Sequence, residues 1–240
     1  MKSVILAGGK GTRLGPYTAV LPKPLMPIGD LPILEIVLNQ LSRTKFKEVI
    51  ITVGHLSSLI RTYFDNVSIP GISVKYSLED KPLGTAGPLK LISGLDDTFL
   101  VMNGDVLADI DFGKFYSFHK KNNAVATAGI YKRSVHIDFG VLSLEQNKKI
   151  IGYQEKPTFE YVVSMGVYLF EPEVLGYIKY NKYLDLPDLI KLLIKNNKTV
   201  VGYLHDGYWL DIGRPEDYNK AVLDFKSMRF LAPSINKKKR

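Results

Sequence analysis

Apolar residues fall along this chain in short blocks separated by glycine and proline, and the spacing within the blocks changes along its length. Ser3 to Ala7 is a brief β-branched run that stops at two glycines, the pattern of a buried strand. Ile33 to Leu41 repeats apolar residues at Ile33, Leu34, Val37, Leu38 and Leu41, which is a helical stripe. Residues 47–54 read as a strand, 56–64 as a helix, 72–76 as an alternating strand, and 98–102 as a strand ending at Asn103-Gly104-Asp105. A small loop holding Gly84 and Gly87 precedes a short helix. Strands alternating with helices at this spacing predict an α/β fold, a parallel sheet wrapped by helices that binds ligands beyond the C-terminal strand ends.

Two stretches break this rhythm. From Gly8 to Pro32 five prolines (Pro16, Pro22, Pro24, Pro27, Pro32) exclude a regular helix, and a structureless loop of that length in a compact domain is usually functional. From about Ala124, strand-like runs follow one another (125–131, 139–144, 149–154, 163–170) with few helices between, which predicts a mixed or antiparallel extension forming the other wall of a cleft. A helix at 186–195, a strand at 199–204 and a helix at 216–229 after Pro215 complete the pattern. With no internal repeat and no linker, the expectation is a single domain over 1–230 followed by a basic tail at 231–240.

The composition narrows the chemistry. The chain has 240 residues, 45% hydrophobic and 23% charged, enough for one sizeable core. It contains no cysteine, which removes disulfides, thiolate metal sites and a Cys nucleophile. No apolar run is long enough for a secretory leader or a membrane span, so the expected protein is soluble and cytoplasmic. The net charge of +8 raises a nucleic-acid reading, but four of those charges are the tail Lys237-Lys238-Lys239-Arg240. Nucleic-acid binding would need cations interleaved with exposed aromatics, whereas the tyrosines mostly fall in strand-like runs; no nucleic-acid partner is expected.

The remaining positive charge has a better address. Leu6-Ala7-Gly8-Gly9-Lys10-Gly11-Thr12-Arg13-Leu14 puts three glycines and two cations directly after a strand, where successive backbone N–H groups can form a nest for an anion. A P-loop is excluded because Gly9-Lys10 is followed by Gly11, and the dinucleotide pattern because position 14 is Leu14. Downstream, Lys23 stands between Pro22 and Pro24 on a stiffened backbone, which suits a cation aimed at one place.

These residues resemble the N-terminal signature of the sugar-1-phosphate nucleotidyltransferases: Gly8-Gly9-x-Gly11-Thr12-Arg13-Leu14-x-Pro16-x-Thr18, then Pro22-Lys23-Pro24-Leu25 and Pro32-Ile33-Leu34. Further matches follow in the family's order: Pro82-Leu83-Gly84-Thr85-Ala86-Gly87-Pro88-Leu89, Asn103-Gly104-Asp105-Val106, Phe139-Gly140-Val141, Glu155-Lys156-Pro157 and Gly207 to Pro215. The resemblance implies a Rossmann-like, mostly parallel sheet, with residues 1–122 mainly nucleotide-binding and 123–230 mainly sugar-phosphate-binding. It is closest to mannose-1-phosphate guanylyltransferase-like members, but the sequence leaves no room for the left-handed β-helix domain of longer ones.

The reaction it implies is displacement at the α-phosphorus of a nucleoside triphosphate by a sugar-1-phosphate oxygen, releasing pyrophosphate. Charge neutralisation and in-line positioning would carry it, without a covalent nucleophile. The expected catalytic set is Arg13, Lys23, Asp105, Lys156 and Asp211, with Asp105 and Asp211 sharing Mg2+. The nucleotide is expected on Leu6, Ala7, Gly8, Gly9, Gly11, Thr12, Arg13, Lys23, Glu79, Pro82, Gly84, Thr85, Ala86, Asn103 and Gly104. The sugar phosphate is expected on Gly140, Glu155, Lys156, Ser164, Gly166 and Trp209. Glu79 stands where thymidylyl members carry a base-contacting glutamine. A carboxylate accepts two parallel hydrogen bonds, which guanine N1–H and N2–H₂ supply and uracil or thymine do not, so GTP is favoured over UTP or dTTP.

Ser164-Met165-Gly166 departs from the family's Asn-Ala-Gly, so mannose, a manno-heptose and glucose all stay open as the sugar, as does thymidylyl or uridylyl transfer. A non-catalytic regulatory paralogue should have lost one of the five catalytic residues, and all five are present. Assembly into a homo-oligomer is left open. A precursor for polysaccharide or surface glycan is the natural use of the product.

Overall fold

The computed structural model describes residues 1–225. The tail at 231–240 and the last turn of the helix expected to reach Arg229 lie outside them.

In chain order the elements are β1 (Lys2–Leu6), β2 (Pro27–Ile28), β3 (Leu31–Pro32), α1 (Ile33–Leu41), β4 (Glu48–Val53), α2 (Ser57–Asn66) and β5 (Ser73–Leu78). Then come β6 (Phe99–Asn103), β7 (Val106–Ala108), α3 (Phe112–Lys121), β8 (Ala126–His136), β9 (Val141–Leu144), β10 (Ile150–Gln154) and β11 (Thr158–Phe170). The chain closes with α4 (Leu186–Lys195), β12 (Val200–His205), β13 (Trp209–Asp211) and α5 (Pro215–Phe225).

Seven strands form the central sheet in the order β12-β8-β11-β6-β1-β4-β5. β1 runs parallel to both β4 and β6, and β4 to β5; β11 is antiparallel to β6 and β8, and β12 rejoins parallel to β8. The parallel half and the mixed half therefore share one sheet, and the α/β architecture is as the sequence pattern predicts. Among the described residues no β-helix is present.

Alternation along the central strands explains why they read as near-continuous apolar runs. Leu100 and Met102 of β6 face one hydrophobic cluster while Phe99 and Val101 face the other, so both faces of the sheet are covered. Six of the nine residues of α1 are buried, so the helix is enclosed on more than the predicted stripe. Each such aliphatic side chain contributes roughly 1.5–3 kcal/mol of burial before the entropy of ordering is charged against it.

Four details differ from the sequence pattern. The Gly8–Pro32 stretch is organised by single 3₁₀ turns at Thr12–Leu14, Tyr17–Ala19 and Lys23–Leu25 and by the β2–β3 hairpin. Prolines forbid a long helix but not one-turn segments that need few backbone donors. Helix α3 carries a glycine in its first turn and a histidine on its buried face, which obscures the apolar stripe; Asp111 caps it through the N–H groups of Gly113 and Lys114. Finally, β8 and β11 run several residues beyond their apolar segments, and only six of the fourteen tyrosines lie in strands.

Candidate active site

The C-terminal ends of β1, β4, β5 and β6 open onto a cavity of about 420 Å³. Thirteen of the fifteen residues expected to hold a nucleotide line it: Leu6, Ala7, Gly8, Gly9, Gly11, Arg13, Lys23, Glu79, Pro82, Gly84, Thr85, Asn103 and Gly104. Thr12 and Ala86 do not. Thr12 opens a 3₁₀ turn, and the Ala86 side chain is fully buried in the core while its N–H is taken by the Leu184 carbonyl. The motif residue Thr18 shapes the loop from behind, its hydroxyl donating to the Gly11 carbonyl at 2.9 Å.

Lys23 is buried and pairs with the Asp105 carboxylate across the cavity floor. The second oxygen of Asp105, Oδ1, is buried with no hydrogen-bond partner. Asp105 sits in the turn between β6 and β7, and its carbonyl accepts from the Ile212 N–H at 3.1 Å, while Asp211 pairs with Val106. The short β7–β13 ladder thereby brings two carboxylates from distant parts of the chain to one place. Burial and the neighbouring Asp105 charge push the Asp211 carboxyl above the usual carboxylate range, partly offset by Lys23 and Arg13. Two crowded carboxylates, one with an orphaned oxygen, are a donor set suited to a hard divalent cation.

A second cavity of about 350 Å³ adjoins the first, sharing Thr85 and Asn103 with it and lined also by Ser164, Met165, Gly166, Tyr168, Asp185 and Asp211. Its floor is a bulge in β11, where the register with β8 slips between Ser164 and Tyr168. Gly166 sits in that bulge at φ 73°, and a side-chain carbon there would stand 2.6 Å from Asn103 Nδ2. Ser164 and the Tyr168 hydroxyl are hydrogen-bonded at 2.7 Å. Trp209 does not line the cavity; its indole N–H holds the Met165 carbonyl at 3.1 Å, supporting the wall from behind.

The signature of the family described as Nucleotidyl transferase matches residues 2–227. The chain belongs to that family. It is 36% identical over 92% of its length to a UTP–glucose-1-phosphate uridylyltransferase of Synechocystis, and 31% identical over 97% to a mannose-1-phosphate guanylyltransferase of Mycobacterium tuberculosis. It spans 62% and 66% of the lengths of these relatives. A solved structure from Bacillus anthracis, provisionally assigned as a glucose-1-phosphate thymidylyltransferase and holding sucrose, superposes with a TM-score of 0.72 at 26% identity, covering 95% of this chain and 96% of that one.

Within this nucleotidyl transferase fold, Glu79 is half-buried. Its Oε2 accepts from the Leu83 N–H at 3.1 Å, and a side-chain carbon at position 8 would stand 2.5 Å from its Oε1, so glycine there admits the carboxylate. Burial raises its pKa, with the Leu83 hydrogen bond opposing. Gly140, Glu155 and Lys156 line neither cavity. They stand on an exposed arm built from the outer ends of β8 and β11 and the β9–β10 hairpin, where the Tyr153 hydroxyl donates to Glu155 at 2.7 Å. Lys156 takes a left-handed φ of 41° just before Pro157, a conformation that costs a non-glycine residue of order 1–3 kcal/mol.

Sequence reasoning missed Tyr183 in the first cavity and Asp185 in the second. Both lie just before α4, and an Asp before a helix reads as an ordinary N-cap. A larger cavity of about 680 Å³, lined by Phe46, Phe112 and Tyr116 among others, holds none of the predicted residues and includes Met1, at the opposite end of β1. Among the described residues no helix is long and apolar enough to cross a membrane.

Proposed function

We propose that this chain transfers a nucleoside monophosphate from a nucleoside triphosphate to a sugar-1-phosphate, releasing pyrophosphate, and that it works in the cytoplasm. The observation that carries the reading is the Lys23–Asp105 pair beside Asp211, where a glycine-lined cavity meets a second, polar one. Both reactants are anions, and a sugar-phosphate oxygen is already ionised at neutral pH, so positioning and charge neutralisation suffice. Arg13 offers a planar fork to the triphosphate and Lys23 a point charge. Lys156 meets the sugar phosphate from the arm, and Glu155 accepts from sugar hydroxyls. Asp105 and Asp211 would hold Mg2+, which supplies neutralisation of phosphate charge when bound. Ser164 and Gly166 border the sugar.

GTP and a mannose-type sugar-1-phosphate are the favoured pair, because Glu79 stands in the nucleotide cavity and guanine can donate two parallel hydrogen bonds to a carboxylate. Uridylyl transfer to glucose-1-phosphate is the second reading: the Synechocystis relative has that name, and Glu79 Oε2 already accepts the Leu83 N–H.

A matrix of nucleoside triphosphates against sugar-1-phosphates, read by pyrophosphate release at millimolar magnesium, tests the proposal. Release with none of the pairs would remove the catalytic reading. Glu79→Gln should weaken GTP use more than UTP use; an equal effect on both takes Glu79 out of base selection.

A further inference from the structure

Tyr183 is 64% exposed and joins neither hydrophobic cluster, yet its side chain is held at both ends. At the tip, its hydroxyl donates to Asp185 Oδ2 at 2.6 Å. At the base, the next residue is tied to the loop after β5. The Leu184 N–H donates to the Leu83 carbonyl at 2.9 Å, and the Leu184 carbonyl accepts from the N–H groups of Ala86 at 2.8 Å and Gly87 at 3.0 Å. Two glycines admit this contact. A side-chain carbon at Gly84 would stand 2.5 Å from the Leu184 carbonyl oxygen, and one at Gly87 2.6 Å from that of Lys182. Residues 182–185 are therefore locked onto the Leu83–Gly87 loop, with the Tyr183 ring on the wall of the nucleotide cavity. Tyr180, three residues earlier and 71% exposed, lines neither that cavity nor its neighbour.

The fold gains little from fixing an exposed ring, and ordering a side chain costs entropy. A ligand gains more. Tyrosine offers a broad flat face on only two rotatable bonds, and a face fixed beforehand loses little freedom when a second flat group packs on it. Among the described residues that line the nucleotide cavity, Tyr183 is the sole aromatic. Arg13, Lys23 and the Gly8–Gly11 backbone suit phosphate oxygens, and the Glu79 carboxylate suits the hydrogen-bonding edge of a base. None of these offers a face to the base itself.

We propose that the Tyr183 ring is a stacking face for the base of the bound nucleotide. Every base has a π-face, so such stacking adds affinity without choosing among bases. Tyr183 then supplies binding and Glu79 the selection. The inference rests on the nucleotide reading of the cavity, and it gives a role to a residue that lies outside the sequence signature.

Calorimetric binding of GTP, UTP and inorganic tripolyphosphate to the full chain, with magnesium and without sugar phosphate, tests it. Tripolyphosphate carries the phosphates without a base. Tyr183→Ala should raise the dissociation constant of each nucleotide that wild type binds by about five- to a hundredfold, and leave that of tripolyphosphate unchanged. Tyr183→Phe, which keeps the ring and loses the tie to Asp185, should retain most of the affinity, and Tyr180→Ala should bind as wild type does. Three results overturn the proposal: Tyr183→Ala binding the nucleotides as wild type does, an equal loss for tripolyphosphate, or Tyr183→Phe as weak as Tyr183→Ala. If Tyr183→Ala does not fold, Tyr183→Leu, which keeps bulk without a π-face, decides by the same comparisons. Wild type that binds tripolyphosphate as tightly as either nucleotide overturns this inference alone. Wild type that binds none of the three overturns the functional reading and this inference with it.

Discussion

Thr85 and Asp185, a hundred residues apart, exchange the roles expected of a helix cap. Asp185 occupies the N-cap position of α4 yet makes no side-chain bond to that helix; its Oδ1 accepts from the Thr85 N–H at 3.0 Å and the Thr85 hydroxyl at 3.1 Å. The Thr85 hydroxyl in turn accepts the Leu186 N–H at 2.7 Å, so a residue that lines both cavities caps the helix. The other Asp185 oxygen takes the Tyr183 hydroxyl at 2.6 Å. Burial alone would raise the Asp185 carboxyl, but the bonds from Tyr183 and Thr85 outweigh it and hold it below the usual range. Asp185 thus acts through Thr85, as a positioning residue for both cavities.

Asp185→Ala should raise the nucleotide KM by about tenfold while changing kcat less, because the loop carrying Gly84 and Thr85 loses its anchor. Asp185→Asn keeps one acceptor oxygen and should fall between. Initial-rate kinetics beside thermal melts check this, and a uniform loss of activity that tracks only the melting temperature would contradict a positioning role.

Gly166→Ala should be costly in a way that a glycine substitution on the arm is not. The left-handed φ and the 2.6 Å approach to Asn103 Nδ2 together predict a loss of about 1–3 kcal/mol in urea unfolding. Displacing Asn103 from the junction of the two cavities should also lower kcat/KM by at least about tenfold. Gly152→Ala, where the new carbon meets only the side chain of Ser143 at 3.3 Å, should change both far less.

These cases show what local pattern can and cannot carry. The strands under the glycine loop, α1 and α4 are legible because their apolar periodicity is set by neighbours in sequence, and the loop itself because glycine and proline act locally. The Asp105–Asp211 approach is legible only through resemblance, since it depends on the β7–β13 ladder between segments a hundred residues apart. Ala86 belongs to a recognisable motif, yet its side chain packs in the core, because a loop must be anchored as well as present donors. The extended β8 and β11 escape detection because Lys132, Arg133, Ser134 and Glu160 face solvent on both sides and leave no alternation to read. The Thr85–Asp185 exchange leaves no sequence signal at all.

His119 gives the stability a defined pH response. It is fully buried, with Nδ1 against the Thr127 hydroxyl at 2.7 Å and Nε2 against Glu171 at 3.1 Å, and burial lowers its pKa despite Glu171. The folded state then binds fewer protons than the unfolded chain, so stability falls as pH drops below about 6.5, by at most about 1.4 kcal/mol per pH unit for one site. Glu171 is held below its ordinary value: burial raises it, but hydrogen bonds from Lys120, Thr98 and His119 outweigh that, so its contribution is lost only at lower pH. Chemical unfolding of wild type and His119→Gln between pH 7 and pH 5 (roughly, the window of an ordinary histidine) should show the slope in the first and a flatter curve in the second.

Asp211→Asn should separate stability from function. A carboxyl whose folded pKa is raised is ionised at a cost, so above the ordinary carboxylate range the charged Asp211 weakens the ligand-free fold relative to a neutral amide. Below that range both forms are neutral and the difference closes. Solvent reaches Asp211, which screens the effect, so the expected gain in Tm at neutral pH is about a degree or two. Turnover should move the opposite way, because a cation held with Asp105, as proposed, would lose one of its two carboxylates. Differential scanning fluorimetry with and without magnesium reads both consequences without an activity assay. Wild type should gain stability on adding the ion and the variant should gain much less. A variant that is destabilised without magnesium, or that responds to the ion as wild type does, would detach Asp211 from the metal.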